Sequence, residues 1–473
     1  MTLKLFNSLT RKKETFIPIE ESKVRFYICG PTVYGYIHIG NARPFIVFDV
    51  LRSFFEYLKY DVTYVLNLTD IDDRIINRAN QEGVDTSEIA TKYARAFFED
   101  IRALGVRPAD IHPKATENVD TIIALIKNLL DKGFAYKAGS DVFFNVAKFD
   151  TYGKLSGKKL EDLRAGARVA VNESKNNPLD FVLWKSRKPG EPAWDSPWGS
   201  GRPGWHIECS AMSMKHLGHT FDIHAGGHDL IFPHHENEVA QSECATGEPF
   251  VRYWLHNGLL QIDGEKMSKS IGNILTVREV LKKFSGSVLR MFFLQKHYRS
   301  PIDLTEAGLQ AAESASSRLK IFYDKLCALL DKNTLTDLKL SVLPEPFASL
   351  KAGLISAMAD DLNTPTALSN LFEMVREANK LLSKEEHSVE ELATLTLVRH
   401  EIEETDAFLG LISRDQTDLS SGLVSELVTF LIEIRQELRA KREWALADKI
   451  RDGLNERGII LEDGGKGTEW RLH

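Results

Sequence analysis

CGPTVYGYIHIGN, residues 29–41, sets a cysteine, two glycine turns and a histidine directly after VRFYI (24–28), a β-branched and aromatic run that reads as a strand. Beyond it an apolar-periodic stretch runs from about Ala42 to Leu58, so the local pattern is strand, loop, helix. A helix beginning just after a strand and a glycine turn presents free backbone N–H groups and a positive dipole end, which suits phosphate. His38, two residues before Gly40, either adds a donor there or is a turn histidine with no ligand, and these residues alone leave both readings open. A second strand, VTYVLNL (62–68), precedes a helix whose start near TDIDDR is marked by Thr69, Asp70 and Asp72. Two βα units in succession predict an α/β fold with a parallel sheet and ligands at the carboxyl ends of its strands.

At 473 residues the chain is too long for one core, and two to four domains are expected. It is 43% hydrophobic and 27% charged, with no apolar run long enough to span a bilayer. The N-terminal MTLKLFNSLTRKKETF lacks the apolar core and cleavage site of a secretory signal, so a cytoplasmic protein is expected. Four scattered cysteines, Cys29, Cys209, Cys244 and Cys327, are too few for a disulfide framework and read as ligands, nucleophiles or core fillers. A net charge of −7 argues against a positively coated surface, so a polyanionic partner must be held by local basic patches.

From 113 to 203 the chain turns rich in Lys, Gly, Pro and Trp and loses its helical period, as an insertion into the sheet domain would. The α/β pattern resumes with FDIHAGG and VRYWLHNGLL and ends near Pro301. Helices follow, as in LQAAESASSRLKIFYDKLCALL, and residues 331–346 read as a polar connector.

DGEKMSKS (263–270) puts Lys266 and Lys269 among small, flexible residues. Lysines on a mobile loop suit a leaving pyrophosphate, although most KxxK spacings are solvated charge. FPHHENEVAQSE (232–243) places Pro233 where a helix can start, and His234 and Glu238 then lie four apart on one face, within reach of one ion. The zinc-hydrolase pattern His-Glu-x-x-His fails, because residue 239 is Val, and an isolated His/Glu pair is more often a surface hydrogen bond. Cys29 and Cys209, the latter in GWHIECSAM, are candidate partners for that pair, making two thiolates, an imidazole and a carboxylate suited to zinc.

The His-x-Gly-x turn early in an α/β pattern, with Lys-Met-Ser-Lys-Ser near its end, resembles the signature pair of class I aminoacyl-tRNA synthetases. CGPTVY, GRPGWHIECSAM, FPHHENEVAQSE, NPLDFVLWK and DLNTPTAL resemble the blocks of the cysteinyl-tRNA synthetase family, and the likeness runs from about residue 3 to the C-terminus. Two positions depart from the usual pattern: Asn41 stands where class I enzymes carry a second histidine, and Ala225 where relatives commonly carry a third glycine, near the adenosine-binding turn.

The resemblance implies a Rossmann-type catalytic domain in two halves (1–112 and 204–305), the connective insertion (113–203), a helical bundle (306–408) and an anticodon-binding domain (409–473). It implies a zinc ion on Cys29, Cys209, His234 and Glu238, with the substrate thiolate as a further ligand, and a cysteine pocket using Cys29, Gly30, Thr69, Trp205 and His206. ATP, arriving with Mg²⁺, would be handled by His38, Gly40, Asn41, Gly227 and Asp229, with Lys266 and Lys269 following the pyrophosphate. The acceptor would be tRNA-Cys and the protein a monomer. Arg435, Arg439, Lys441, Arg442, Lys449, Arg451 and Arg457 alternate with acids, which reads mostly as a solvated helix face, and Trp470 as a core residue or a base-stacking one. The insertion is short for an editing domain. Two alternatives remain: a ligase that joins cysteine to an amino sugar with the same active site, and a catalytically silent zinc- and RNA-binding protein.

Overall fold

The computed structural model describes residues 2–159, 175–262, 265–266, 275–333, 342–412, 416–455, 459–464 and 467–472. They form two compact units, residues 1–412 and 413–473.

The first unit opens with an antiparallel hairpin of β1 (Lys4–Asn7) and β2 (Lys12–Thr15), followed by β3 (Lys23–Ile28), α1 (Ile39–Tyr57), β4 (Asp61–Leu66), α2 (Asp73–Glu82) and α3 (Thr86–Ala103). Asp72 caps α2 by accepting the Arg74 N–H, and Asp85 with Glu88 forms a capping box on α3. The β3–loop–α1 unit read from the sequence is therefore present, with α1 starting three residues before Ala42. Burying the rings of Phe48, Phe54 and Phe55 on α1 stabilises the unit by about 1.5–3 kcal/mol each.

Residues 113–203 contain α4 (Val119–Asp131) and strands β5 (Ala135–Ala138), β6 (Asp141–Phe144), β7 (Phe181–Ser186) and β8 (Gly201–Pro203), paired antiparallel in that order. The expected loss of helical period is thus incorrect at its start. Ile122, Leu125, Ile126 and Leu129 give α4 an apolar face, which packs on a second core with Phe144, Leu183 and Trp184.

The chain then supplies α5 (Trp205–Leu217), β9 (Phe221–Gly227), α6 (Glu236–Thr246), β10 (Val251–Asn257), β11 (Leu260–Ile262), β12 (Glu265–Lys266), α7 (Val277–Leu281), α8 (Gly286–Leu294) and β13 (Ile302–Leu304). The main sheet has the order β10-β9-β3-β4, and all its pairs are parallel. Between β3 and β9 the strand order reverses, so connections diverge and leave a crevice at the carboxyl ends of both strands. Cys29 directly follows β3 and Gly227 ends β9, so the crevice opens at the residues the sequence singled out.

Four helices complete this unit: α9 (Glu306–Lys332), α10 (Phe347–Ala359), α11 (Thr364–Leu382) and α12 (Val389–Leu409). Leu319, Leu326, Leu368 and Leu395 merge their core with that of the sheet. In the second unit, α13 (Gln416–Ala440), α14 (Trp444–Asn455) and the antiparallel pair β14 (Ile459–Gly464) and β15 (Gly467–Leu472) share a small core of Val428, Ile432, Leu454 and Ile459. Arg435 is buried there, at odds with the expected solvated face, because α13 turns this side toward α14. Arg457 and the side chain of Trp470 lie outside the described residues.

Candidate active site and metal centre

A cavity of about 360 Å³ fills the crevice. One side is lined by Cys29, Gly30, Thr69, Trp205, Cys209 and His234; the other by His38, Gly40, Asn41, Gly227, Asp229 and the backbone of 257–260. Sheet topology explains the meeting. Residues scattered over more than 200 positions end neighbouring parallel strands, or begin helices just beyond them, and so share one rim.

His38 caps α1, its Nδ1 accepting the Asn41 N–H at 3.3 Å. Asn41 is exposed, on the first turn of the helix where free N–H groups face an anion. Leu275 O accepts from Ile39 N at 2.9 Å and Ile37 O from Val277 N at 3.0 Å, so the chain leaving the KMSKS segment is pinned to the His38 turn. Its entry is pinned by β12 against β11. Lys269 lies outside the described residues, and only the backbone of Lys266 is described, in β12.

On the other side, Cys29, Cys209, His234 and Glu238 bring one donor atom each to within 4.8 Å of one another. Cys29 Sγ is 3.7 Å from Cys209 Sγ and 3.6 Å from Glu238 Oε1, and His234 Nε2 is 3.1 Å from the same oxygen. Sequence spacing places the His234–Glu238 pair correctly, but Pro233 does not start the helix. Phe232 is extended, residues 231–235 form an irregular turn, and α6 begins at Glu236. Trp205 stacks on the His234 ring at 4.2 Å between centroids. His206 does not line the cavity; its Nδ1 lies 3.0 Å from His234 Nδ1, which sets it behind the ligand candidate.

Burial pushes the Cys29 thiol and the Glu238 carboxyl well up and the His234 imidazole well down. Two thiols, a carboxyl and a neutral imidazole packed this deeply lack a positive charge, which a thiophilic divalent ion would supply; the chemistry of the donor set fits zinc. Three of the four donors also border the cavity, so the set is open on one side.

Several site residues carry no signal in spacing. His224 Nε2 lies 2.9 Å from Glu238 Oε2, and His235 Nε2 3.3 Å from Cys29 Sγ. With Cys29 and Glu238 they form a second set of four donors. His235 Nδ1 contacts His256 Nε2 at 2.8 Å, and His256 Nδ1 contacts Ser8 Oγ at 2.8 Å. The histidine count of FDIHAGG, PHHEN and WLHNG was visible; their convergence was not. Thr69 Oγ1 donates to the buried Glu208 at 3.0 Å, an acid whose carboxyl is pushed up by burial and by Cys209. Ala225 is fully buried in the core of the sheet and does not line the cavity. Cys244 is buried as a core residue, and Cys327 is half-buried on α9.

Gly30 N donates to Asn67 Oδ1 at 2.8 Å, and a Cβ on Gly30 would sit 1.6 Å from the Asn67 carbonyl oxygen. Gly30→Ala is expected to force β3 and β4 apart at their carboxyl ends, destabilising the protein by ~1–3 kcal/mol and displacing Cys29. Urea unfolding and the metal content of purified protein check both effects; wild-type values for both would contradict this geometry.

Three family models match the chain: tRNA synthetases class I (C) catalytic domain over residues 15–314, DALR domain over 354–413 and cysteinyl-tRNA ligase anticodon binding domain over 424–471. Cysteine–tRNA ligases of Heliobacterium modesticaldum and Geobacillus thermodenitrificans are each 50% identical, over 100% and 99% of both chains respectively. That of Thermococcus onnurineus is 49% identical over 100% of this chain and 99% of its own. Among solved structures, Mycobacterium tuberculosis methionyl-tRNA synthetase in complex with methionyl-adenylate has a TM-score of 0.63 at 16% identity, covering 83% of this chain and 92% of that one, a likeness of fold. The amino-sugar alternative finds no support, and a silent binding protein none either, since the full-length relatives are ligases. A class I catalytic domain, a matched anticodon-binding domain and half-identical relatives of equal length together place the chain in the cysteine–tRNA ligase family of class I aminoacyl-tRNA synthetases, enzymes that use ATP to join cysteine to tRNA.

Proposed function

We propose that cysteine is selected by a zinc ion held by Cys29, Cys209, His234 and Glu238, and is activated by ATP lying along the His38 side of the same cavity. What carries this proposal is the enclosure of four donor atoms within 4.8 Å of one another, in the wall of a cavity that the His38–Asn41 turn also lines. When bound there, zinc would accept the substrate thiolate as a ligand and lower the thiol pKa, which a serine hydroxyl cannot match.

The chain's own groups do the rest. Trp205, stacked on His234, closes the pocket over the small side chain, and Gly30 and Thr69 form its floor. The α1 N-terminus, with His38, Gly40 and Asn41, steadies the phosphates while the cysteine carboxylate attacks the α-phosphorus; Gly227 and Asp229 border the adenosine. Lys266 and Lys269 then neutralise the departing pyrophosphate, and cysteinyl-adenylate results. Support for the lysines comes from the anchoring of both ends of their loop, at β11 and at Ile37 and Ile39. Mg²⁺ enters with ATP. A 3′-terminal ribose hydroxyl of tRNA-Cys, the 2′ one by class, attacks the acyl carbon of the adenylate, forming the ester and releasing AMP. No described helix is long and apolar enough to cross a membrane.

The test is a titration of cysteine into cobalt-substituted enzyme. The thiolate-to-metal charge-transfer band is expected to grow with cysteine and stay unchanged with serine; an unchanged band with both would remove the metal from substrate recognition.

A further inference from the structure

The DLNTPTAL block contributes nothing to the cavity wall, yet it holds a fully buried carboxylate with several hydrogen-bond partners. Asp361 is fully buried between α10 and α11. It and Leu362 are consecutive non-glycine residues in the left-handed region, φ +61° and +53°. Such a conformation is costly for leucine and persists only where surrounding contacts impose it. Starting α11 does not demand it, because Asn363 performs the capping by accepting the Thr366 N–H.

The contacts point toward the sheet domain. Asp361 Oδ1 accepts from Tyr298 Oη at 2.9 Å and Phe6 N at 2.8 Å, and Oδ2 accepts from Arg299 Nε at 2.8 Å. Its carboxylate therefore fixes the turn at 297–300. That turn in turn touches the cavity floor: Gly258 N donates to Tyr298 O at 2.8 Å, and a Cβ on Gly258 would sit 2.5 Å from Ser300 O. The buried Arg43 guanidinium, two residues beyond Asn41, knits the two together. It donates to Gly258 O at 2.7 Å, Ser300 O at 2.7 Å and His297 O at 3.2 Å. Gly258, Leu259 and Leu260 line the cavity beside His38, and β11 continues from them into the lysine-bearing loop.

We infer that Asp361 is a positioning residue for the nucleotide half of the reaction: from the helical layer it fixes the 297–300 turn, and through that turn and Arg43 it fixes the Gly258–Leu260 floor. The inference rests on the assignment of ATP to the His38 side proposed above. It makes the helical layer part of the catalytic geometry, because a shift of that layer moves the floor under the nucleotide while the metal side, built on Cys29 just after β3, on α5 and on the start of α6, stays in place.

Asp361→Asn keeps size and loses charge: the remaining oxygen still accepts from Tyr298 and Phe6, but the amide NH2 in place of Oδ2 cannot accept from Arg299, so Arg299 loses its anchor. In cysteine-dependent ATP–pyrophosphate exchange, normalised to titrated active sites, kcat/KM for ATP is expected to fall by about 10- to 100-fold while KM for cysteine stays within about twofold. Tyr298→Phe, which removes one hydrogen bond and no charge, covers the case in which Asp361→Asn does not fold, and should show a smaller fall of the same selectivity. Lys13→Ala, on the exposed pair with neighbouring Asp360, should change neither constant. A lower melting temperature with wild-type kcat/KM for both substrates, in whichever variant folds, would overturn the inference, leaving Asp361 a structural residue. Equal losses for ATP and cysteine would overturn it as well. His38→Ala separates the two levels: if it leaves kcat/KM for ATP unchanged, the nucleotide assignment fails; if it lowers kcat/KM for ATP while Asp361→Asn does not, only the present inference fails.

Discussion

Enzyme stripped of its metal but still folded is expected to drop from ~10⁴-fold preference for cysteine over serine to the ~10–200-fold that shape alone supplies. The two substrates differ by one atom, and a pocket of fixed shape sorts such near-isosteres poorly. A ~10⁴-fold preference corresponds to about 5.5 kcal/mol, within reach of a metal–sulfur bond and beyond a packing difference of methylene size. The site agrees with that division of labour. Cys29, Cys209 and His234 border the cavity, whereas the steric elements, Trp205 and Gly30, close it without offering a group that distinguishes S–H from O–H. Competition of cysteine and serine in ATP–pyrophosphate exchange, before and after chelation with near-UV circular dichroism as the folding check, measures the effect. Undiminished rejection of serine by folded, metal-free protein would mean that selection resides in the pocket walls.

Lys269→Ala should slow pyrophosphate exchange by ~10²–10³-fold and leave cysteine affinity within about twofold. Charge on the leaving pyrophosphate grows only as the bond to the α-phosphorus breaks, so a cation that meets it late stabilises the transition state and not the ground state. The segment carrying Lys269 enters beside Ile262, paired in β11–β12, and leaves beside Leu275, bonded to Ile39 at the start of α1. Its exit is thus fixed beside the His38 turn, and its entry beside β11, whose Leu260 lines the same cavity. A change confined to kcat is the expected signature. Equal losses in cysteine binding and exchange would place the lysine in general folding of the loop instead.

What the sequence alone determined is everything that depends on near neighbours. Strand, turn and helix from Val24 to Leu58 follow from period and glycine placement, and His234 and Glu238 follow from the helical repeat, because side chains four apart share a face. Family likeness carried the rest of the candidate ligand set and the expected pairing of the His38 turn with the lysine loop. Local reading went astray where a neighbour overrode composition: α4 hides in a Gly- and Pro-rich insertion, and Arg435 is buried by α14 despite its charged surroundings. Only the tertiary structure decided that His224, His235 and His256 back the metal candidates, and that Asp361 reaches the cavity floor through Arg299 and Arg43. The physical reason is topology. Parallel strands return to one rim after crossovers of many residues, so groups far apart in the chain meet by strand order, which no local period encodes.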